Sequence, residues 1–440
     1  MTPDELKAKV NRIVIVIMEN RSFDNVLGYL RHPQQGNRND VEGIEDLNNP
    51  AYANANSDSE AIFPFWMDDN ALLSDLPHER DEVKEQLAHS TLSNEYEMNG
   101  FVKAYEDTFH SAVAKPPVMG LLQAKDLPTT ATLADRYTVC DNWFACLPTS
   151  TAPNRMMSMC GYTEIDTTNA LVPDQKTVYD WLLAHEVSWR VYSAGLPFLT
   201  LMPRLSPLLL TSHFRRFGDL EQTLKTDFPI DKPHVIFVEP DYYDSPIHFD
   251  GACDNHPPLP MAPGEVFLGK ICRILSNDAG WAKTLLVITY DEHGGFFDHV
   301  PPKPIKYRNS KAGISFDSTG PRVPAIVAGR FARKGVAHEL LDNTSILQML
   351  ADRFGEPGES YSPEVAGRLH QGIQTLTKVL TDTGESSAIQ LPAMPALKPL
   401  PTTRTARSPL TQAFDNAAKR LVAQHGIEAL AKFPELGSRA

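Results

Sequence analysis

Four short apolar runs constrain what this chain can fold into more than any other feature. They are Ile13–Met18, His234–Val238, Thr284–Thr289 and Arg322–Ala328, all rich in β-branched residues. An apolar run without polar alternation suits a strand buried on both faces, and such strands belong to parallel sheets covered by helices. The stretches Thr177–Glu186, Pro263–Ser276 and Thr344–Phe354 between and after them read as helices. The expected architecture is therefore α/β, a mostly parallel central sheet sandwiched between helical layers.

The first three runs lead, within a residue or so, into polar and mostly acidic positions: Glu19-Asn20, Glu239-Pro240-Asp241 and Asp291-Glu292-His293. Open α/β sheets bind ligands beyond the carboxyl ends of their strands. Three acidic clusters at equivalent strand ends point to one shared site. A single cluster would be read as the solvated start of a loop.

Bulk properties narrow the partners. The charged fraction of 22% and hydrophobic fraction of 42% are those of a soluble globular protein. The longest apolar run, Ile13–Met18, is far too short to span a bilayer. The net charge of −14 opposes binding to nucleic acid or anionic lipid as the main role. It leaves small phosphoesters and zwitterionic lipids open, because a local metal offsets the global charge. The five cysteines have no Cys-x-x-Cys spacing and an odd count, so one at least is free within the chain. This suits a reducing compartment. Met1–Lys9 shows no apolar signal segment, so the expected location is cytoplasmic, or secreted or periplasmic after removal of a signal.

Residues 1–380 read as one catalytic domain, with residues 31–70 as a long Asn-, Asp- and Pro-rich loop. Residues 381–440 read as a proline-rich linker followed by a helical extension over Leu410–Phe433, expected to dock on the main domain.

Three segments carry chemistry. Glu19-Asn20-Arg21-Ser22-Phe23-Asp24 offers a carboxylate and an amide oxygen, hard ligands for a divalent cation, although alone it reads equally as an Asx turn with a helix cap. Thr149-Ser150-Thr151-Ala152-Pro153-Asn154-Arg155 places hydroxyls before a proline, which favours the first turn of a helix. Helix-start amides attract phosphate, and a hydroxyl there attacks phosphorus if a metal lowers its pKa; a plain N-cap threonine is the alternative. The most specific segment is Thr289-Tyr290-Asp291-Glu292-His293-Gly294-Gly295-Phe296-Phe297-Asp298-His299. Its adjacent carboxylates call for a cation, its glycines permit a tight turn, and His293 and His299 are available as ligands or proton sources. His256, in Asn255-His256-Pro257-Pro258, and His78, in Leu76-Pro77-His78, stand in polar surroundings and read singly as surface or capping histidines.

Taken in order, the stretches at 19–24, 98–102 (Met-Asn-Gly-Phe-Val), 151–155, 239–242 (Glu-Pro-Asp-Tyr), 256–258 and 290–299 resemble the phosphoesterase family of bacterial phospholipases C, plant non-specific phospholipases C and acid phosphatases. The resemblance implies an alkaline-phosphatase-like three-layer sandwich. It implies Thr151 as nucleophile, and Glu19, Asn20, Thr151, Asp291 and Glu292 as ligands of one divalent ion of the Ca²⁺, Mg²⁺ or Mn²⁺ class. It further implies His78, His256, His293 and His299 as catalytic or pocket histidines, with Asn20, His78, His256 and Asn154 contacting substrate. The expected activity is phospholipase C-like hydrolysis through a phospho-threonine. Its alternatives are an acid phosphatase on small soluble monoesters and a non-catalytic binder of phosphate ligands.

Overall fold

A computed structural model describes residues 1–67, 72, 74–169, 171–245, 251–384, 386–397 and 408–439. Eight strands form the main sheet: β1 (Arg12–Met18), β2 (Thr138–Cys140), β3 (Ser188–Ser193), β4 (Phe214–Arg216), β5 (His234–Glu239), β6 (Thr284–Tyr290), β7 (Ala325–Ala328) and β8 (Gly335–Ala337). Their order is β4-β3-β5-β1-β6-β7-β2-β8. β1 pairs in parallel with β5 and with β6, so the three strands expected to share a site lie side by side.

All seven residues of β6 and six of the seven in β1 are buried, which requires cover on both faces. Helices α1 (Pro3–Lys9), α2 (Phe23–Leu27), α3 (Arg80–Leu87), α4 (Pro128–Arg136), α5 (Thr151–Cys160), α6 (Val178–Ala184), α7 (Leu220–Thr226), α8 (Ala262–Ser276), α9 (Thr344–Phe354) and α10 (Pro409–Lys432) supply most of it. α9 packs on α1 and α5, while α8 packs on α4 and α7. The result is a three-layer α/β architecture with a mostly parallel sheet.

The fourth apolar run departs from expectation. The strand begins at Ala325, after Pro324, and runs antiparallel to both neighbours. A buried apolar run reads the same in either direction; the connection sets the polarity. Ala325 starts opposite Thr289, near the carboxyl end of β6, so the chain has to run back. Arg322, taken as the first residue of that strand, is instead a buried cation between Asp24 (3.0 Å) and Asp298 (2.8 Å).

α10 lies against the main body. Leu410, Ala413, Phe414, Ala417 and Leu421 of its apolar face join the principal core. Ser408 caps it by accepting from Thr411 N. Residues 398–407 of the proline-rich segment lie outside the described residues. Among the described residues no helix is long and apolar enough to cross a membrane.

Candidate active site

β1 ends at Met18, and the next two residues turn inward. Asn20 takes a left-handed conformation (φ 61°), tolerated by asparagine better than by most residues. That bend lets its backbone N–H donate to Asp291 Oδ1 (3.2 Å), joining the ends of β1 and β6. The paired glycines make the joint possible. A Cβ on Gly294 would stand 2.1 Å from Asn20 O, and Gly294 and Gly295 both have positive φ. Arg21 ties in the segment carrying His256: its guanidinium donates to Asn255 O (2.8 Å) and Leu259 O (3.0 Å).

Thr151 is the first residue of α5, directly after the capping position Ser150. It is 3% exposed, and its Oγ1 donates to Asn20 Oδ1 (3.3 Å). One turn later Arg155 reaches under the same group, pairing with Glu19 (3.1 Å) and Asp291 (3.2 Å). Its spacing of four from Thr151 places both on one helix face, the signal by which the sequence could have revealed it. Ala152 N, a helix-start amide, donates to Thr168 Oγ1 (3.2 Å).

His78 closes another side of the group. Its Nδ1–H donates to Leu76 O (2.6 Å), and Nε2 stands 3.3 Å from Asn20 Nδ2 and 3.8 Å from Glu292 Oε1. Burial opposes its charge, but Glu292 and Asp75 more than compensate and push its pKa up to about 10. His256 Nδ1–H donates to Pro257 O, which turns Nε2 toward Asp244 (3.7 Å) and Asp75 (3.8 Å). Its ring stacks on Tyr243 and lies 6.3 Å from that of His78. Burial likewise opposes its charge, and the surrounding carboxylates still raise its pKa.

Burial raises the carboxyls of Glu19 and Asp291, Asp291 to about 6, despite the attraction of Arg155. Glu292 is held below its usual value because His78 and His293 outweigh burial. Glu19 Oε2 and Glu292 Oε1 are buried without a hydrogen-bond partner. Orphaned buried carboxylate oxygens beside further carboxylates fit an oxygen-coordinated cation. Glu19, Asp244 and His256 also bring ligand atoms within 4.8 Å of one another. Asp244 was not foreseen, and Glu239 does not do what its strand-end position suggested. Glu239 accepts from Phe198 N (2.7 Å) and Tyr242 OH (3.0 Å), while the residue from that loop facing His256 is Asp244.

Three expected site residues have other roles. Asn154 spends its side chain on its own loop: Oδ1 accepts from Leu147 N, and Nδ2 donates to Leu147 O, Thr149 O and Ser150 O. It therefore shapes the approach to Thr151 and has no group to spare for substrate. His293 is fully buried between Gln86 (2.8 Å) and Glu292 (3.2 Å), and burial lowers its pKa. Its Nδ1 lies beside Glu292 Oε2 without a hydrogen bond between them. His299 belongs to a second cluster, its ring nitrogens facing Asp24 (2.6 Å) and Glu42 (3.1 Å). Arg322 already supplies a cation there, bridging Asp24 and Asp298.

Thr151, Asn20, the buried acids and two histidines thus form one cluster at the strand ends. In comparison with known proteins, the model described as Phosphoesterase family matches residues 10–357. The chain belongs to this family. Among Phosphoesterase relatives, Non-specific phospholipase C1 of Arabidopsis thaliana is 32% identical over 355 residues, covering 77% of this chain and 64% of that protein. Phospholipase C B of Mycobacterium tuberculosis (strain ATCC 25618 / H37Rv) is 29% identical, covering 79% of this chain and 74% of that one. Non-hemolytic phospholipase C of Burkholderia pseudomallei is 28% identical, covering 81% and 57%. The chain thus spans less than two thirds of the length of the plant relative and of the Burkholderia one. Among solved structures, a protein of the alkaline phosphatase superfamily from Vibrio parahaemolyticus overlays with a TM-score of 0.38 at 11% identity, covering 70% of this chain and 83% of that chain. The Phosphoesterase match ends before α10.

Proposed function

We propose that this protein hydrolyses phosphoesters in the manner of a phospholipase C, with Thr151 as the nucleophile. The observation that carries the reading is the buried Thr151 hydroxyl, hydrogen-bonded to Asn20 at the start of the helix whose Arg155 pairs with Glu19 and Asp291. A divalent cation held by Glu19, Asn20, Thr151, Asp291 and Glu292 would make the hydroxyl acidic enough to ionise. Thr151 Oγ then attacks phosphorus in line, a P–O bond to the alcohol breaks, and the phosphoryl group passes to Thr151. His256 protonates the departing oxygen through Nε2, the nitrogen its Pro257 contact leaves facing the site. Asn20 and His78 hold phosphoryl oxygens. Water then releases phosphate or its monoester from Thr151. His299, facing Asp24 and Glu42, is not assigned the proton transfer.

Lipid diesters and small soluble monoesters both suit this chemistry, and the names of the relatives favour the phospholipid. A turnover panel decides: an aryl phosphomonoester, a phosphorylcholine ester and phosphatidylcholine micelles, each with Ca²⁺, Mg²⁺ or Mn²⁺ and after exhaustive chelation. Phospholipase C-type action releases phosphorylcholine from the micelles, and chelation abolishes it. Turnover of the monoester alone assigns a phosphatase; full activity after complete metal removal contradicts the cation.

A further inference from the structure

The C-terminal helix starts beside the candidate site, although it lies outside the stretch matched by the family. Its cap residue Ser408 donates to Asp244 Oδ1 (2.5 Å), and Thr411 Oγ1 donates to the same oxygen (2.7 Å). Asp244 is buried, and its other oxygen, Oδ2, faces His256 Nε2 at 3.7 Å. One carboxylate thus joins the first turn of α10 to the histidine. This contact differs from an ordinary helix cap in three respects: the acceptor comes from the β5 loop, both donors converge on one oxygen, and the opposite oxygen points at a site residue. The start of this helix, which is broken only at Gly426, also favours a negative charge through its aligned backbone dipoles.

A second contact ties the same helix to the site from another direction. Phe414 packs edge-on against Phe198 and at a tilt against Tyr242. The Arg155 guanidinium lies over both of those rings, 5.9 Å and 5.3 Å from their centroids.

We infer that Ser408 and Thr411 are positioning residues of the active site, holding Asp244 so that its Oδ2 orients His256 for proton delivery to the leaving oxygen. Asp244 Oδ1 is occupied by the two hydroxyls, and Oδ2 is the oxygen turned toward the ring. Helix α10 is on this view a working part of the hydrolytic site, and the catalytic role of His256 rests on the reading proposed above.

The test uses the 440-residue chain carrying Ser408→Ala with Thr411→Ala, and Thr411→Ser as the conservative control. Without the clamp, turnover of an alkyl phosphoester, whose leaving oxygen needs a proton, is expected to fall at least about tenfold. An aryl ester, whose leaving group needs none, is expected to change by less than about threefold. Thr411→Ser keeps the hydroxyl and restores the alkyl rate. Equal losses on both esters overturn the inference. The histidine ring NMR spectrum, assigned with His256→Gln, gives a readout that needs no turnover. The double variant shifts the His256 Cε1–H signal and leaves that of His234, at the opposite end of β5, in place. An unmoved His256 signal overturns the clamp even if the chain hydrolyses nothing; a moved signal in a chain that turns over neither ester leaves the clamp standing and removes the proposed function instead.

Discussion

His299 shows how a single residue acquires a role from its neighbours. Burial alone would discourage its charge, but Asp24 and Glu42 reverse this and push its pKa up to about 9. Asp24 is held below its usual value, because His299 and Arg322 outweigh its own burial. A raised histidine pKa stabilises the folded state fully below about pH 6.5, and this contribution is lost as pH climbs through about 9. The upper bound is about 3 kcal/mol for the shift from the ordinary histidine value. The Asp24 contribution runs the other way, present above the ordinary carboxyl range and lost as pH falls through its depressed value. Urea unfolding of the wild type is therefore predicted to weaken between pH 6.5 and 9 by more than that of His299→Gln. Parallel stability curves for the two proteins over that window would contradict the assignment. The sequence offered His299 as a pocket residue because it closes the most specific motif. That motif is local, whereas the partners Asp24, Glu42 and Arg322 lie far away in sequence, and only the fold shows that they claim it.

At the scale of elements, the site is made by two turns that touch. The strand-end acids, the hydroxyl at the start of α5 and the glycine pair were legible in the sequence because each depends on a short pattern: a β-branched run, a proline in a first turn, two glycines after two acids. The depth of the joint was not legible. Gly294 has a positive φ, and its missing Cβ leaves room for the Asn20 carbonyl. Gly294→Ala therefore combines a conformational penalty of about 1 kcal/mol with a backbone clash that no side-chain rotation relieves. The prediction is loss of at least about a hundredfold in turnover, together with a drop in melting temperature. Gly313→Ala is the control for the conformational term, since it too has positive φ but meets nothing within 4 Å. If Gly294→Ala behaves like Gly313→Ala, the two turns are not in the contact described. The reversed polarity of β7 was also invisible beforehand, because strand direction depends on which end of the sheet a connection leaves and not on the composition of the strand.

Across the whole molecule, β1, the loop after β5, β6 and α5 bring groups into one buried, acid-rich cluster, and the first turn of α10 touches Asp244 at its edge. Few of these groups have a function alone. Asn154 sets the loop that presents Thr151; His293 fills the buried space beside Glu292; Arg155 offsets Glu19 and Asp291. Most of this supporting layer escaped a reading of the sequence, since Asn, Gln and Arg side chains hydrogen-bond many partners and carry no motif of their own. The arrangement makes sense if it exists to make one hydroxyl attack phosphorus. The most direct measurement is the turnover of Thr151→Ala and Thr151→Ser on an aryl phosphoester, with melting temperature as the control. Serine keeps the attacking oxygen and is predicted to retain activity within about tenfold, whereas alanine loses several orders of magnitude at near-native stability. Thr151 is not the capping residue of α5, so alanine there is expected to cost little folding energy. An alanine variant that turns over within about tenfold of wild type would contradict the account and assign the attack to water.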